Sequence, residues 1–225
     1  MITSNVLTRV FHLKYGMGTG TCFAIDWNNR QYIVTAKHVI ENFQSGSKIQ
    51  IFYKGNWAEV TPKLVGHHQT ADVSVLTLDI SLASLKMDPT SDGIILGQDT
   101  YFLGFPYQLS DLKSSQINRD FPFPLIKKAT LSAMLNDGFG NYMLLDGFNN
   151  PGFSGGPVVF AQPYQTKIEY KVGGIISGYR YSEDPVYQTT TLPPLVVRSN
   201  TGIIIAYDIA NAIELINANP IGIKI

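Results

Sequence analysis

Asn150-Pro151-Gly152-Phe153-Ser154-Gly155-Gly156-Pro157, running into the apolar stretch Val158-Val159-Phe160, is the segment on which the fold of this 225-residue chain turns. Three glycines beside one serine cost chain entropy and add no packing. They belong where the backbone must take a shape that side chains forbid. Acyl transfer needs such a place, because backbone N–H groups must point at the oxygen that becomes negative in a tetrahedral intermediate. On this reading the N–H groups of Gly152 and Ser154 form the oxyanion hole, and side chains there would crowd a substrate carbonyl. The competing reading is a Gly-rich β-turn with Ser154 as a passive member. The segment also departs from the Gly-x-Ser-x-Gly elbow, since Ser154 leads into Gly-Gly-Pro and a strand, with no helical pattern.

Outward from this turn, strand signals dominate. Short β-branched or aromatic runs occur at 20–25, 32–35, 49–53, 73–78, 100–103, 142–145, 158–160, 170–177 and 201–206, mostly separated by Gly, Pro, Asn or Asp. Trp27-Asn28-Asn29-Arg30 reads as a hairpin turn, because Asn tolerates left-handed backbone angles. Many short strands without long helical crossovers exclude a parallel α/β sheet and predict an all-β barrel or sandwich. The polar stretch 81–97 reads as a link between two halves. One helix is expected, over about 208–218. Asp208 would cap it, Ile209, Ile213 and Ile216 would form its apolar stripe against the second half, and Pro220 would end it. Loops are expected at 106–124 and 182–200, the latter carrying Pro185, Thr189–Thr191 and Pro193-Pro194, with an extended hairpin at 161–171.

The composition bounds the function. Hydrophobic residues make up 44% and charged residues 15%, below the usual ~25%, so the chain is globular. Formal net charge is zero, and the best basic cluster, Lys127-Lys128, reads as a solvated strand edge; no nucleic-acid partner is expected. The single cysteine, Cys22, lies in an apolar run and reads as a small buried hydrophobe. With no disulfide to form and no signal-peptide pattern in MITSNVLTRVFHLKYG, a cytoplasmic location is expected. No apolar run is long enough for a membrane span.

A serine hydroxyl is a poor nucleophile without a base. His38 follows the strand-like run Tyr32-Ile33-Val34-Thr35-Ala36-Lys37, where a side chain is held firmly yet can face a cleft. His12 sits in a strand-like run and His67-His68 in a polar turn. Adjacent side chains of a strand diverge, so that pair makes no metal site, and neither metal nor cofactor is expected. A carboxylate must then orient the imidazole. Asp72 heads the alternating run Val73-Ser74-Val75-Leu76; Asp79, Asp111 and Asp146 are the alternatives.

The sets Thr35-Ala36-Lys37-His38-Val39, Ala71-Asp72-Val73-Ser74-Val75-Leu76 and Gly152-Phe153-Ser154-Gly155-Gly156-Pro157 together resemble the three signatures of the chymotrypsin/trypsin-like serine peptidases, in the order His, Asp, Ser. Gly18-Thr19-Gly20-Thr21, Asn150-Pro151-Gly152 and the ending Asn200-Thr201-Gly202-Ile203-Ile204-Ile205-Ala206 before a helix are similar to the bacterial trypsin-like and HtrA-like branch, here with no PDZ domain. The resemblance implies two packed six-stranded antiparallel β-barrels with a C-terminal helix. The first barrel would span about 8–82, the linker 83–97 and the second barrel 98–206, as one peptidase domain over 1–225. It implies His38, Asp72 and Ser154 as the triad, Gly152 and Ser154 as the oxyanion hole, and Ser177 as a support that hydrogen-bonds Asp72. A peptide would pair along Ser177-Gly178-Tyr179. Phe148, Ser177, Gly178, Tyr179 and Gly202 would line the primary pocket, favouring small or medium apolar residues. Phe153 stands where trypsins carry the Asp that pairs with a new N-terminus, so no activating cut of that kind is expected. The reading is a monomeric serine endopeptidase acting on protein or peptide substrates. Its rivals are a silent peptidase-fold binding module and a serine esterase.

Overall fold

The computed structural model describes residues 2–53, 55–87, 89–111, 123–136, 138, 140–165, 167–186 and 195–225. After a one-turn helix, α1 (Ser4–Leu7), the first half is built from β1 (Val10–Tyr15), β2 (Gly18–Trp27), β3 (Arg30–Thr35), β4 (Ile49–Tyr53), β5 (Asn56–Val60), β6 (Lys63–His67) and β7 (Ser74–Thr77). The second half holds β8 (Asp99–Gly104), β9 (Leu125–Asn136), β10 (Asn141–Asp146), β11 (Pro157–Tyr164), β12 (Lys167–Val186) and β13 (Leu195–Asp208). Helix α2 (Ala210–Ala218) and the short β14 (Ile223–Lys224) follow.

Among the described residues the strand ladders are all antiparallel, and they form two sheets. The expectation of two six-stranded barrels is corrected. The first sheet has eight strands in the order β5-β4-β1-β2-β3-β7-β6, with β14 added on β3, and this path does not return on itself. The six strands of the second half pair in a ring, β10-β13-β12-β11-β8-β9. Asn28 and Asn29 both take left-handed angles (φ 49° and 58°) in the two-residue turn between Trp27 and Arg30, the geometry that matches strand twist.

Each sheet encloses its own apolar cluster, one around Leu13, Ala24 and Ile40, the other around Phe102, Met143 and Phe160. A third cluster joins the halves and takes in Phe23, Val34 and Val75 from the first, Leu103, Val159 and Ile175 from the second, and Ile209 and Ile216 of the C-terminal segment. Helix α2 begins two residues later than expected, although Asp208 Oδ1 still accepts the Ala210 N–H at 2.8 Å. It packs on the second half as expected, against β13 and through the Asn211 Nδ2 bond to the Asn141 carbonyl (2.8 Å), and also back onto β6 and β7, where Leu215 lies against Gly66 and Asn219 Nδ2 donates to the Val65 carbonyl at 3.0 Å. Among the described residues no helix is long and apolar enough to cross a membrane.

The 182–200 segment is only partly a loop. Its ends extend β12 and β13 into a two-stranded ribbon, with register from Ser182↔Ser199 to Val186↔Leu195. The rest, 187–194, lies outside the described residues, as does the middle of the 106–124 loop, 112–122. The 161–171 hairpin forms as expected between β11 and β12.

Candidate active site

Where β3 ends at Thr35, the chain enters a 3-10 turn over Lys37–Ile40. Ala36, Val39 and Ile40 are buried and anchor the turn, leaving His38 on its open side with half of its side chain exposed (51%). Asp72 comes from the loop before β7, whose shape depends on a second histidine. His68 Nδ1 accepts the Ala71 N–H at 2.9 Å and the Thr70 N–H at 3.3 Å, so its proton sits on Nε2, facing Glu214.

Asp72 meets His38 twice. Its Oδ1 accepts the His38 backbone N–H at 2.9 Å, and its Oδ2 faces the imidazole Nδ1 at 2.7 Å. Ser177 Oγ donates to the same Oδ2 at 2.6 Å. A carboxylate only accepts, so Nδ1 must carry the proton and the lone pair of His38 is left on Nε2. Burial pushes the Asp72 carboxyl up, but the His38 hydrogen bond and charge, the Ser177 hydroxyl and the His38 N–H together hold it below the usual aspartate value. The hydrogen bond to Asp72 raises the His38 imidazole above its usual value, against partial burial and with help from Glu41.

Ser177 reaches Asp72 because β12 bulges there. The register against β13 slips between Ile176 and Gly178, leaving Ser177 without a partner across the ladder. Bulges beside sites re-aim a side chain in this way. Its carbonyl is used too, since Ser154 Oγ donates to it at 3.0 Å. Among the described residues the Ser154 hydroxyl has this bond and none to His38.

The turn that carries Ser154 is held by backbone. Gly155 N–H donates to Ile176 O (2.7 Å), Gly156 N–H to Phe153 O (2.8 Å), and Ser154 O accepts Thr21 N–H (2.8 Å). Among the described residues neither Gly152 N–H nor Ser154 N–H has a partner within the chain. Glycine is needed here because the backbone takes a shape that side chains forbid. An added Cβ would strike Phe105 O at Gly152 (φ 104°) and Thr21 O at Gly155 (φ 82°). Phe153 is fully buried in the second core and meets Phe102 edge to face at 4.9 Å. The turn is thus anchored by an aromatic ring.

Sequence reasoning missed Thr21. Its buried hydroxyl donates to Gly152 O (2.7 Å) and accepts the Phe105 N–H (3.1 Å), tying β2 of the first sheet to the turn of the second. The only signal was its place in Gly18-Thr19-Gly20-Thr21. Asn149 lies in the stretch Gly147-Phe148-Asn149 around which the primary pocket was expected. It is buried, donates to Gly178 O at 3.2 Å, and its own carbonyl accepts Asn200 Nδ2 at 2.8 Å, joining three stretches of the expected pocket.

Phe148 is 54% exposed. Lys127 lies over its ring at 5.3 Å and donates to the Phe148 carbonyl and to Asn150 Oδ1 (3.0 Å). Lys127 therefore turns inward and desolvation lowers its ammonium, whereas Lys128 stays outside with Asp99 at 2.8 Å. Gly202 (φ 78°) accepts the Gly147 N–H at 2.9 Å, Gly178 has open space where a Cβ would stand, and Tyr179 is half-buried. Asp146, on β10, is exposed.

The other histidines serve the fold. His12 is buried against Phe105 and Trp57 and bonds Thr19 Oγ1 (2.8 Å), and His67 lies between Ser74 Oγ (2.6 Å) and Phe43 O (3.1 Å). Among the described residues no three His, Cys, Asp or Glu are grouped to hold a metal ion. Cys22 is fully buried, which pushes its thiol up and away from reactivity.

Comparison with known proteins agrees with this fold. The model of the trypsin-like peptidase domain matches residues 19–162, more than half of the chain. No curated protein sequence matches it. The HtrA-type protease AlgW with tripeptide superposes with a TM-score of 0.63 at 20% identity, covering 96% of this chain and 61% of that one. This chain thus spans about three-fifths of AlgW. The inactive form of the protease Rv3671c from M. tuberculosis gives 0.61 at 14% identity, covering 95% and 90%. At these identities the likeness is one of fold.

Proposed function

We propose, from the premise that this chain belongs to the trypsin-like peptidase domain family, that it is a serine endopeptidase with Ser154 as nucleophile, His38 as base and Asp72 as the group that orients the base. The observation that carries this reading is the carboxylate of Asp72 collecting His38 N–H, His38 Nδ1–H and Ser177 Oγ–H, which leaves His38 Nε2 free to take a proton.

The Ser154 hydroxyl first exchanges its bond to Ser177 O for one to His38 Nε2. A substrate paired along β12 would place its own N–H on the Ser177 carbonyl and drive that exchange. His38 then takes the proton as Oγ attacks the peptide carbonyl, and the N–H groups of Gly152 and Ser154 hold the oxyanion. His38 passes the proton to the leaving amine, and water reverses the sequence to free the acid. Removing one oxyanion donor from such a site costs ~2.7–4 kcal/mol of activation energy. For the primary pocket we propose small or medium apolar side chains. Lys127 at the Phe148 carbonyl opposes a basic residue there.

A second reading, a peptidase fold that binds peptides without cutting them, is favoured by one observation: Ser154 Oγ is bonded to Ser177 O in place of His38. Digestion of a proteome-derived peptide library followed by mass spectrometry separates the two. The peptidase reading expects new C-termini at apolar residues, absent with Ser154→Ala. No new termini from the wild type would leave the binding module. Strong cleavage after Arg or Lys would overturn the pocket assignment.

A further inference from the structure

We propose that His68 is a positioning residue for the catalytic pair: its ring shapes the loop that presents Asp72, and its carbonyl ties that loop to the turn that carries His38. This rests on the peptidase reading and adds a residue to its machinery.

β6 and β7 pair as far as His67↔Ser74, so residues 68–73 lie beyond the ladder and need other supports. His68 supplies them from three of its polar groups. Its N–H donates to the Val73 carbonyl at 2.8 Å, closing the loop at its base. Its carbonyl accepts Lys37 Nζ at 2.9 Å, and Lys37 is the neighbour of His38 in the 3-10 turn. Its Nδ1 accepts the N–H groups of Ala71 (2.9 Å) and Thr70 (3.3 Å), which curls the backbone immediately before Asp72.

This is the bonding pattern of an Asx turn, in which an Asn or Asp oxygen accepts the backbone N–H two residues on. At position 68 a ring nitrogen takes the oxygen's place, on a side chain only 11% exposed. Only an unprotonated nitrogen can accept, so the role belongs to the neutral ring with its proton on Nε2. Glu214 of α2 faces that nitrogen at 3.6 Å but is 76% exposed, so the ion pair adds little and the bonds at Nδ1 carry the loop.

The loop transmits its shape over one residue. Ala71 is fully buried, and a displacement of its N–H passes directly to Asp72. Asp72 in turn meets the His38 turn through backbone as well as side chain, since its carbonyl accepts the Lys37 N–H at 3.3 Å and its Oδ1 the His38 N–H at 2.9 Å. Loss of the Nδ1 acceptor therefore moves carboxylate and imidazole relative to each other without altering either group.

The test compares His68→Leu, which has no acceptor, with His68→Asn, whose Oδ1 can stand where Nδ1 stands. The His38 Nδ1 proton, shared with Asp72 Oδ2 across 2.7 Å, should resonate far downfield of the amides in the proton NMR spectrum of the wild type. In His68→Leu that resonance should move upfield or vanish by exchange, and kcat for a peptide substrate should fall about 10²-fold with KM little changed. His68→Asn should restore the resonance and recover most of the lost kcat. If His68→Leu does not fold, His68→Ala serves in its place, because it leaves room for water at the freed N–H groups. A wild-type resonance and kcat in the acceptor-free variant would overturn the proposal. So would a folded His68→Asn as impaired as that variant, because the ring's bulk and not its acceptor would then matter. A resonance that is lost and restored as described, in a protein that cleaves no peptide even as wild type, would uphold the positioning by His68 while refuting the peptidase reading.

Discussion

The two halves of the molecule build their shares of the site in opposite ways. The first sheet supplies side chains on short turns, and they are already joined: Asp72 receives three donors, and His38 is half exposed. The second sheet supplies backbone, packed so tightly that neither Gly152 nor Gly155 can carry a Cβ, while its one reactive side chain, Ser154, points to Ser177 O. The lesson is that the His38–Asp72 pair is already joined, whereas the Ser154 hydroxyl is bonded to the Ser177 carbonyl. Substitutions on the first side should damage chemistry, and those on the second should damage chemistry and folding together.

The largest effect should come from the ready-made side. Asp72→Asn should lower kcat by about 10⁴ in a peptide-turnover assay, because an amide can place the imidazole in the wrong tautomer. A fall in thermal stability large enough to explain that loss would erase the contrast. On the other side, Phe153→Ala should cost about 3–5 kcal/mol in denaturant unfolding, since it empties a fully buried aromatic site beneath the nucleophile. Thr21→Val keeps the shape but leaves Gly152 O and Phe105 N–H unpaired across the two sheets. About 1–3 kcal/mol of stability should be lost, together with kcat, as the oxyanion turn loosens.

The smallest effect is a shift in pH dependence. His38 is raised, so the limb on which kcat/KM grows should lie above pH ~6.5, and Asp72→Asn should move it down. For stability the signs run opposite ways. The raised His38 contributes below pH ~6.5 and loses its contribution as pH climbs through its folded value. The lowered Asp72 contributes above pH ~3.9 and loses it as pH falls through its folded value. The melting temperature of wild type minus that of His38→Gln should therefore be greatest between those limits. A difference that grows above pH 7 would contradict the pairing.

Much of this arrangement was legible in the chain. The two asparagines of the first hairpin, the β-branched runs of β3, β4 and β8, and the glycines about Ser154 carry local signals strong enough to survive folding. Placing His38 and Asp72 needed more, because a lone histidine or a strand-heading aspartate is ambiguous, and only their order with Ser154 decided between candidates. β9 was missed since Lys127, Lys128, Thr130 and Ser132 dilute its apolar alternation, and its burial comes from partners on β8 and β10. The ribbon was taken for a loop because Pro185 and nearby polar residues break the strand pattern, although an edge tolerates proline. Thr21, Asn149 and Lys127 act across 131, 29 and 23 residues of sequence, distances over which no periodicity speaks.

The central claim, that Ser154 becomes nucleophilic through the His38–Asp72 pair, is met most directly by intact-mass measurement after exposure to a fluorophosphonate. The wild type should gain one phosphonyl adduct at Ser154, and Ser154→Ala and His38→Ala should gain none. An unlabelled wild type, or a variant labelled as fast as the wild type, would contradict it.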